Sequence, residues 1–299
     1  MTVDEAVAGP VAQAPRWWRW LASPVPLGRI AAFRVLVYAF VIGDIVIFTG
    51  WVRNRVNVPT SEYEPLFIAR HLPLPAPTPL VVRVVFWALL ASALVACLGR
   101  LPRIAGWVTF ALYFEWLVIV MSYGKVDHDR FGLLVALAVL PTVGKARHGD
   151  ERTTENGGWV LRFTQIACIA TYFLSSWAKL RFGGIAWLTG ATLTRAILRR
   201  GTGFGHLLLE IPHFGVVSQF GIMAFELSSP LIFLARGRLR ILAVGGLFLF
   251  HVLVFVTISI SFLAHLVAMT SFLPLERVRP VARVRRWWLG RSGSPVRVP

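Results

Sequence analysis

The sequence predicts an all-α integral membrane protein, a bundle of about eight transmembrane helices with both termini in the cytoplasm. Three observations predict it. Of the 299 residues 56% are apolar, with a mean hydropathy of +0.66. Several apolar runs reach the ~20 residues that cross a bilayer. Lys and Arg collect in the short loops and tails between those runs. The formal charge of +17 would suit phosphate on a nucleic acid, but basic loops flanking apolar segments follow the positive-inside rule and meet anionic headgroups. Membrane lipids are therefore the expected partners, and nucleic acid is not. Cys97 and Cys168 both fall in apolar runs and give no disulfide framework and no metal-ligand spacing. No metal is expected, and GxSxG, Walker, HExxH and GxGxxG motifs are missing from the sequence.

Residues 1–28 read as a cytoplasmic arm that ends in the basic-aromatic cluster Arg16-Trp17-Trp18-Arg19-Trp20. It lacks the basic region and short apolar core of a cleavable signal, so the first span is expected to act as the insertion signal. That span, 29–51, carries Arg34 and Asp44. Ten residues give an axial offset of ~15 Å, so each charge needs a partner elsewhere. A Pro-rich loop over 52–78 places Trp51, Tyr63 and Phe67 at the interface. Spans follow at 79–98 and at 104–122, the latter with Glu115. The charged cluster 123–130 precedes a short span at 130–144, and a polar loop at 145–158 leads to a fifth span, 159–180. The segment 181–213 is too polar to cross, although Trp187 to Leu198 is amphipathic and suits the membrane surface. The sixth span, 214–235, holds Glu226. The apolar run 241–273 would make one helix of ~50 Å, so it is expected to break near Thr257–Ser261. His251 then lies in the seventh span and His265 in the eighth. These eight spans make up residues 29–274, and 275–299 form a basic cytoplasmic tail with Trp287 and Trp288. The terminal side holds a two-to-one excess of Lys and Arg, which sets the orientation.

Lys179 stands out, one of three lysines in the chain, within the apolar stretch that begins near Trp159. Its position allows two readings, a side chain that snorkels to the headgroups or one that faces a cavity. An amine at the edge of a low-dielectric cavity can take a proton, and a nearby histidine can orient or complete the transfer. On the eight-span layout Lys179, the Asp127-His128-Asp129 cluster and His251 all fall toward the non-cytoplasmic face.

Tyr172-Phe-Leu, then Lys179-Leu180, Trp187 and Gly190, resembles the lysine-bearing segment of vitamin K-dependent gamma-glutamyl carboxylase and of the related bacterial horizontally transferred transmembrane (HTTM) domain. Upstream, Asp127-His128 followed by Gly132-Leu-Leu is similar to that family's histidine motif. Downstream, Glu226-Leu-Ser, His251, Phe262 and Pro274 keep its order, so the likeness spans about residues 28–275. The resemblance implies an eight-helix membrane fold and a quinol-dependent carboxylase- or epoxidase-like lyase. It makes Lys179 the base, with His128 and His251 as catalytic helpers. It further implies Tyr172, Trp187, Asp127 and Glu226 at the substrate, and a reduced naphthoquinone of the vitamin K or menaquinone type as cofactor. Two departures count against a peptide substrate. The carboxylase has a large non-cytoplasmic domain after its bundle, where this chain has a basic tail, and Arg181-Phe-Gly-Gly184 lengthens the spacing from Lys179 to Trp187. The alternative is a non-catalytic scaffold or accessory subunit of a cell-envelope complex, with a membrane-protein partner. Transport ranks last, because no inverted repeat is visible.

Overall fold

The computed structural model describes residues 14–124 and 126–278. The first thirteen residues of the arm, Lys125 and the tail beyond 278, with Trp287 and Trp288, lie outside the described residues. Helices account for nearly all regular structure, and the strands are two-residue pieces, Val25–Pro26 paired antiparallel with Thr153–Thr154. In order the helices are α1 (Arg16–Leu21), α2 (Leu27–Gly43), α3 (Pro79–Cys97), α4 (Ile104–Met121), α5 (Phe131–Val139), α6 (Glu155–Thr189), α7 (Thr192–Arg200), α8 (Gly203–Leu209), α9 (Phe214–Ser228), α10 (Gly237–Ile258) and α11 (Leu263–Met269).

Among the described residues five segments are long and apolar enough to cross a membrane: Leu27–Phe48, Pro79–Cys97, Ile104–Met121, Phe214–Phe233 and Gly237–Ile258. Their outer faces carry side chains that water would reject. Leu80, Trp87 and Leu94 on α3, and Ile241, Leu242, Leu249 and Phe255 on α10, are all exposed. Apolar surface this continuous marks contact with lipid or a partner. The remaining apolar helices differ from the expected spans. The nine-residue α5 and seven-residue α11 fall short of ~20 residues by themselves, but the segments that hold them, Arg130 to Gly144 and Phe262 to Glu276, run from the Asp44 end of α2 to its Arg29 end. They are packed inside the bundle, where Leu133, Leu137, Ala268 and Met269 are fully buried. α6 is longer than expected, 35 residues, and more polar, with Arg162 and Gln165 along it.

The apolar run 241–273 is divided over Ser259–Phe262, where Ser259 takes a left-handed backbone (φ 54°) that ends α10. The two charges of the first span find separate partners. Arg34 donates to the carbonyl of Gly144 at 2.9 Å. Asp44 begins a π-helical turn, Asp44–Phe48, and accepts from Arg130 at 2.9 Å and from the Tyr113 hydroxyl at 3.0 Å. A π turn widens the helix locally and is a frequent mark of a functional or packing constraint.

Basic loops gather at one end of the bundle. The amide of Gly28 donates to the Asp150 carbonyl at 2.8 Å, and Gly144 lies against Arg103. Both guanidinium nitrogens Nε and Nη2 of Arg29 donate to Glu276 at 2.7 Å. At the opposite end Arg55, Arg130 and Arg200 surround a chamber beside Tyr123. The arm is not detached along its whole length: Trp20 meets Phe233 edge-on at 5.6 Å, and the Arg162 guanidinium lies 4.3 Å from the Trp20 ring.

Arg29 holds the Glu276 carboxyl below its ordinary value of 4.5. A carboxyl lowered in the folded state contributes stability that is present above 4.5 and lost as pH falls through the lowered value. Hydrogen exchange of residues 275–278 should therefore accelerate on acidification below about pH 4.5 in the native chain. In Glu276→Gln exchange should be fast already at neutral pH and insensitive to this range.

Candidate functional site

The face of α6 that matters is a stripe. Tyr172, Ser176 and Lys179 follow i, i+4, i+7 spacing and so project from one side of the helix. Facing it, α9 presents a second stripe of the same spacing, Gln219, Met223 and Glu226, all buried. Between them and α10 and α11 lies a cavity of about 280 Å³. Its wall is largely aromatic and aliphatic, with Trp187, Phe250, Phe262, Ile222 and Val254, and polar groups line it along the Tyr172-to-Lys179 strip of α6 and at His128, Asp129 and Thr192.

At one end of that strip Lys179 Nζ donates to both carboxylate oxygens of Glu226 at 2.5 Å. Ser176 Oγ adds a third bond to Oε2 at 2.6 Å. The Glu226 side chain is 6% exposed and that of Lys179 22%. The Trp187 ring covers the ammonium at 5.0 Å, a cation–π contact. At the other end of the strip the Tyr172 hydroxyl lies 2.5 Å from His251 Nε2 and 3.4 Å from the Met269 sulfur. Which of Tyr172 and His251 donates follows from the histidine tautomer. The His265 ring stands 5.0 Å from that of His251 and 5.1 Å from Tyr172. Both ring nitrogens of His265 and Nδ1 of His251 are buried without a partner.

Trp187 reaches the lysine through a local break. Gly184 adopts φ 57°, ψ −155°, a combination essentially restricted to glycine, and kinks α6 there. Gln219 then fastens the returning chain. Its Nε2 donates to the carbonyls of Trp187 (2.8 Å), Leu188 (2.7 Å) and Gly190 (3.0 Å), and its Oε1 accepts from the Leu193 amide at 2.7 Å. The amphipathic helix expected over Trp187 to Leu198 is thus two pieces, the end of α6 and α7, and Trp187 faces the cavity. The physical reason is that carbonyls at a helix end need donors, and one buried amide supplies them.

Among the expected site residues, Lys179, His251, Tyr172, Trp187 and Glu226 line this cavity, and His128 lies at its exposed rim. The carboxylate of Glu226 is taken up by Lys179 and Ser176. Asp127 does not line the cavity. It sits at the turn before the 3-10 helix His128–Arg130, accepts from Arg130 at 3.1 Å, and lines the neighbouring chamber of about 500 Å³ with Asp44. His128 and Asp129 border both spaces. Burial pushes the Asp129 carboxyl above its ordinary value, opposed by the adjacent Arg130.

Ser176, Gln219 and His265 were not picked out as site residues from the sequence. Ser176 had a signal, its i, i+3 spacing to Lys179, and Gln219 another, a lone amide in an apolar run. Among the described residues no group of three or more His, Cys, Asp or Glu could hold a metal ion. Comparison of the chain with protein-family models, with curated proteins and with solved structures returns no match.

Gln219→Leu removes the donor from three carbonyls and the acceptor from one amide. Each unpaired buried group costs roughly 1–3 kcal/mol, part of it recovered by water. Unfolding in detergent should show a loss of about 2–4 kcal/mol. A cysteine introduced as Trp187→Cys should react with maleimide faster in the Gln219→Leu background than alone. Equal rates would mean that Gln219 does not hold the turn.

Proposed function

We propose that this chain is a multi-pass protein of the cell membrane, with eight membrane segments and cytoplasmic termini, that deprotonates a lipid-soluble substrate bearing an acidic hydroxyl. The segregation of Arg29, Arg103, Lys145, Arg147, Arg152 and Arg277 to one end supports the orientation, by the positive-inside rule. The substrate class is a reduced naphthoquinone, and the chemistry is that of a quinol-dependent carboxylase- or epoxidase-like enzyme. One observation carries this reading: a lysine–glutamate pair with an aromatic lid, set in a largely apolar cavity.

The residues present fit such a substrate. A cavity of about 280 Å³ lies near the lower end of the ~300–1,000 Å³ of small-molecule pockets. It suits a flat bicyclic head, with an isoprenoid tail left to the lipid. Trp187, Phe250 and Phe262 offer aromatic faces and edges to the ring. Lys179 and Glu226 offer a proton two resting places. With the proton on Glu226, Nζ is a neutral amine whose lone pair can accept from the substrate hydroxyl. Tyr172 and His251 stand at the other end of the strip, where a second oxygen of a hydroquinone can hydrogen-bond. His128 at the rim is positioned to serve a co-reactant entering from the outer side.

The same pair would also serve as a purely structural tie in a non-catalytic scaffold, and Trp17 and Trp18 of α1, exposed beside basic residues, favour docking to lipid or a partner protein. The test is to incubate the purified protein with a reduced menaquinone and oxygen and to identify the extracted quinone by mass spectrometry. Wild type is expected to convert it. Lys179→Ala should lose about 10²–10⁴-fold, the usual range for a general base, and Tyr172→Phe about tenfold. Undiminished turnover in Lys179→Ala would refute the role of the lysine. No conversion by wild type, with a stoichiometric membrane protein copurifying, would establish the scaffold reading.

A further inference from the structure

We infer that the basic end of the bundle holds a binding site for the phosphate of an anionic phospholipid, centred on Arg34. The inference does not rest on the chemistry proposed for Lys179. A second cavity, about 540 Å³, opens between α2, the end of α3 and the loop around Arg147. Arg34 lines it and is 2% exposed. Only its Nη2 has acceptors, the carbonyls of Gly144 and, at 3.5 Å, Val143. Nε and Nη1 are buried without any. A buried guanidinium satisfied only by two carbonyls is a cation lacking a counter-charge, and no carboxylate lines the cavity to supply one. The nearest carboxylate of the 275–278 segment, Glu276, is committed to Arg29.

The surroundings select a lipid among anions. Arg147 and His148 stand exposed at the mouth, on the same end as the other basic loops. The rest of the wall is apolar and continues onto the outer face of the bundle through the exposed side chains of Val35, Leu36 and Leu98. A headgroup phosphate can meet Arg34 and Arg147 while its acyl chain lies along those three residues. Arginine suits phosphate because its donors are fixed in a plane and it stays charged. Basic pockets between membrane helices on the cytoplasmic side are recurrent sites for such headgroups.

The experiment is native mass spectrometry of the full chain released from nanodiscs containing equal phosphatidylglycerol and phosphatidylcholine. Wild type is expected to retain phosphatidylglycerol about tenfold over phosphatidylcholine. Arg34→Gln should erase that preference. Because this variant sits in the core, two others carry the test independently: Arg147→Gln/His148→Gln, which should weaken retention several-fold, and Ala32→Trp, which should fill the cavity and abolish it. Arg53→Gln, at the opposite end, should leave retention unchanged. Equal retention of the two lipids by wild type, or unchanged preference in both surface and filling variants, overturns the inference. Thermal protection by inorganic phosphate equal to that by phosphatidylglycerol would assign the site to free anions and overturn the lipid assignment.

Discussion

An ammonium and a carboxylate in direct contact inside an apolar helix bundle set the terms for the rest of this structure. Either charge alone at the middle of a spanning helix costs roughly 2.5–3.5 kcal/mol on insertion scales, and breaking a buried pair costs roughly 3–5 kcal/mol. Lys179 and Glu226 can be tolerated only while α6 and α9 keep the register that joins them. The register is shared by everything on the two stripes. Ser176 completes the Glu226 carboxylate from one turn before the lysine. Two turns before Glu226, Gln219 holds the carbonyls that follow Gly184. One face of α9 thus fixes both the lysine and the aromatic ring that covers it.

A second polar cluster plays a comparable part at the rim. Asp44 accepts from Arg130 and Tyr113, and Trp116 donates to Thr49 at 2.8 Å just beyond the π turn. Arg130 also holds Asp127 at 3.1 Å and lies 3.8 Å from Asp129. The short 3-10 turn His128–Arg130 is therefore pinned from both sides, and His128 and Asp129 are fixed where the cavity and the outer chamber meet. Without Asp44 the turn would present a cation with no deep anchor, and the rim would lose its defined position. The cavity around Lys179 depends on a charge that is distant in sequence and on a different helix.

Much of the architecture was legible because it follows from local pattern. Apolar length located the five long spans, and the excess length of 241–273 required a break, which falls over Ser259–Phe262. That Arg34 and Asp44 could not pair with each other followed from helix rise alone. The partners themselves were not legible. Glu226 read as one of several acids needing a cation, and only the antiparallel packing of α6 on α9 selects Lys179. Asp127 entered the expected site through the resemblance alone, and in the structure it makes an i, i+3 contact to Arg130 and lines the neighbouring chamber. The path of residues 181–200 depended on a glycine backbone angle and on one distant amide, neither of which leaves a periodic signal.

The two readings open for Lys179, snorkelling or cavity, separate on where the helix ends. Snorkelling needs a terminus within reach of the side chain, so that the stem lies in lipid and the head in phosphate. Here α6 breaks at Gly184, five residues past the lysine, and the turn after the break brings the Trp187 ring over the ammonium. With the headgroup route covered by Trp187 and the carboxylate of Glu226 held against Nζ, the lysine has its compensation inside the protein. Arg34 is the contrast. It is more deeply buried, yet two of its three nitrogens lack acceptors. The fold closes the charge balance around the lysine and leaves it open around the arginine.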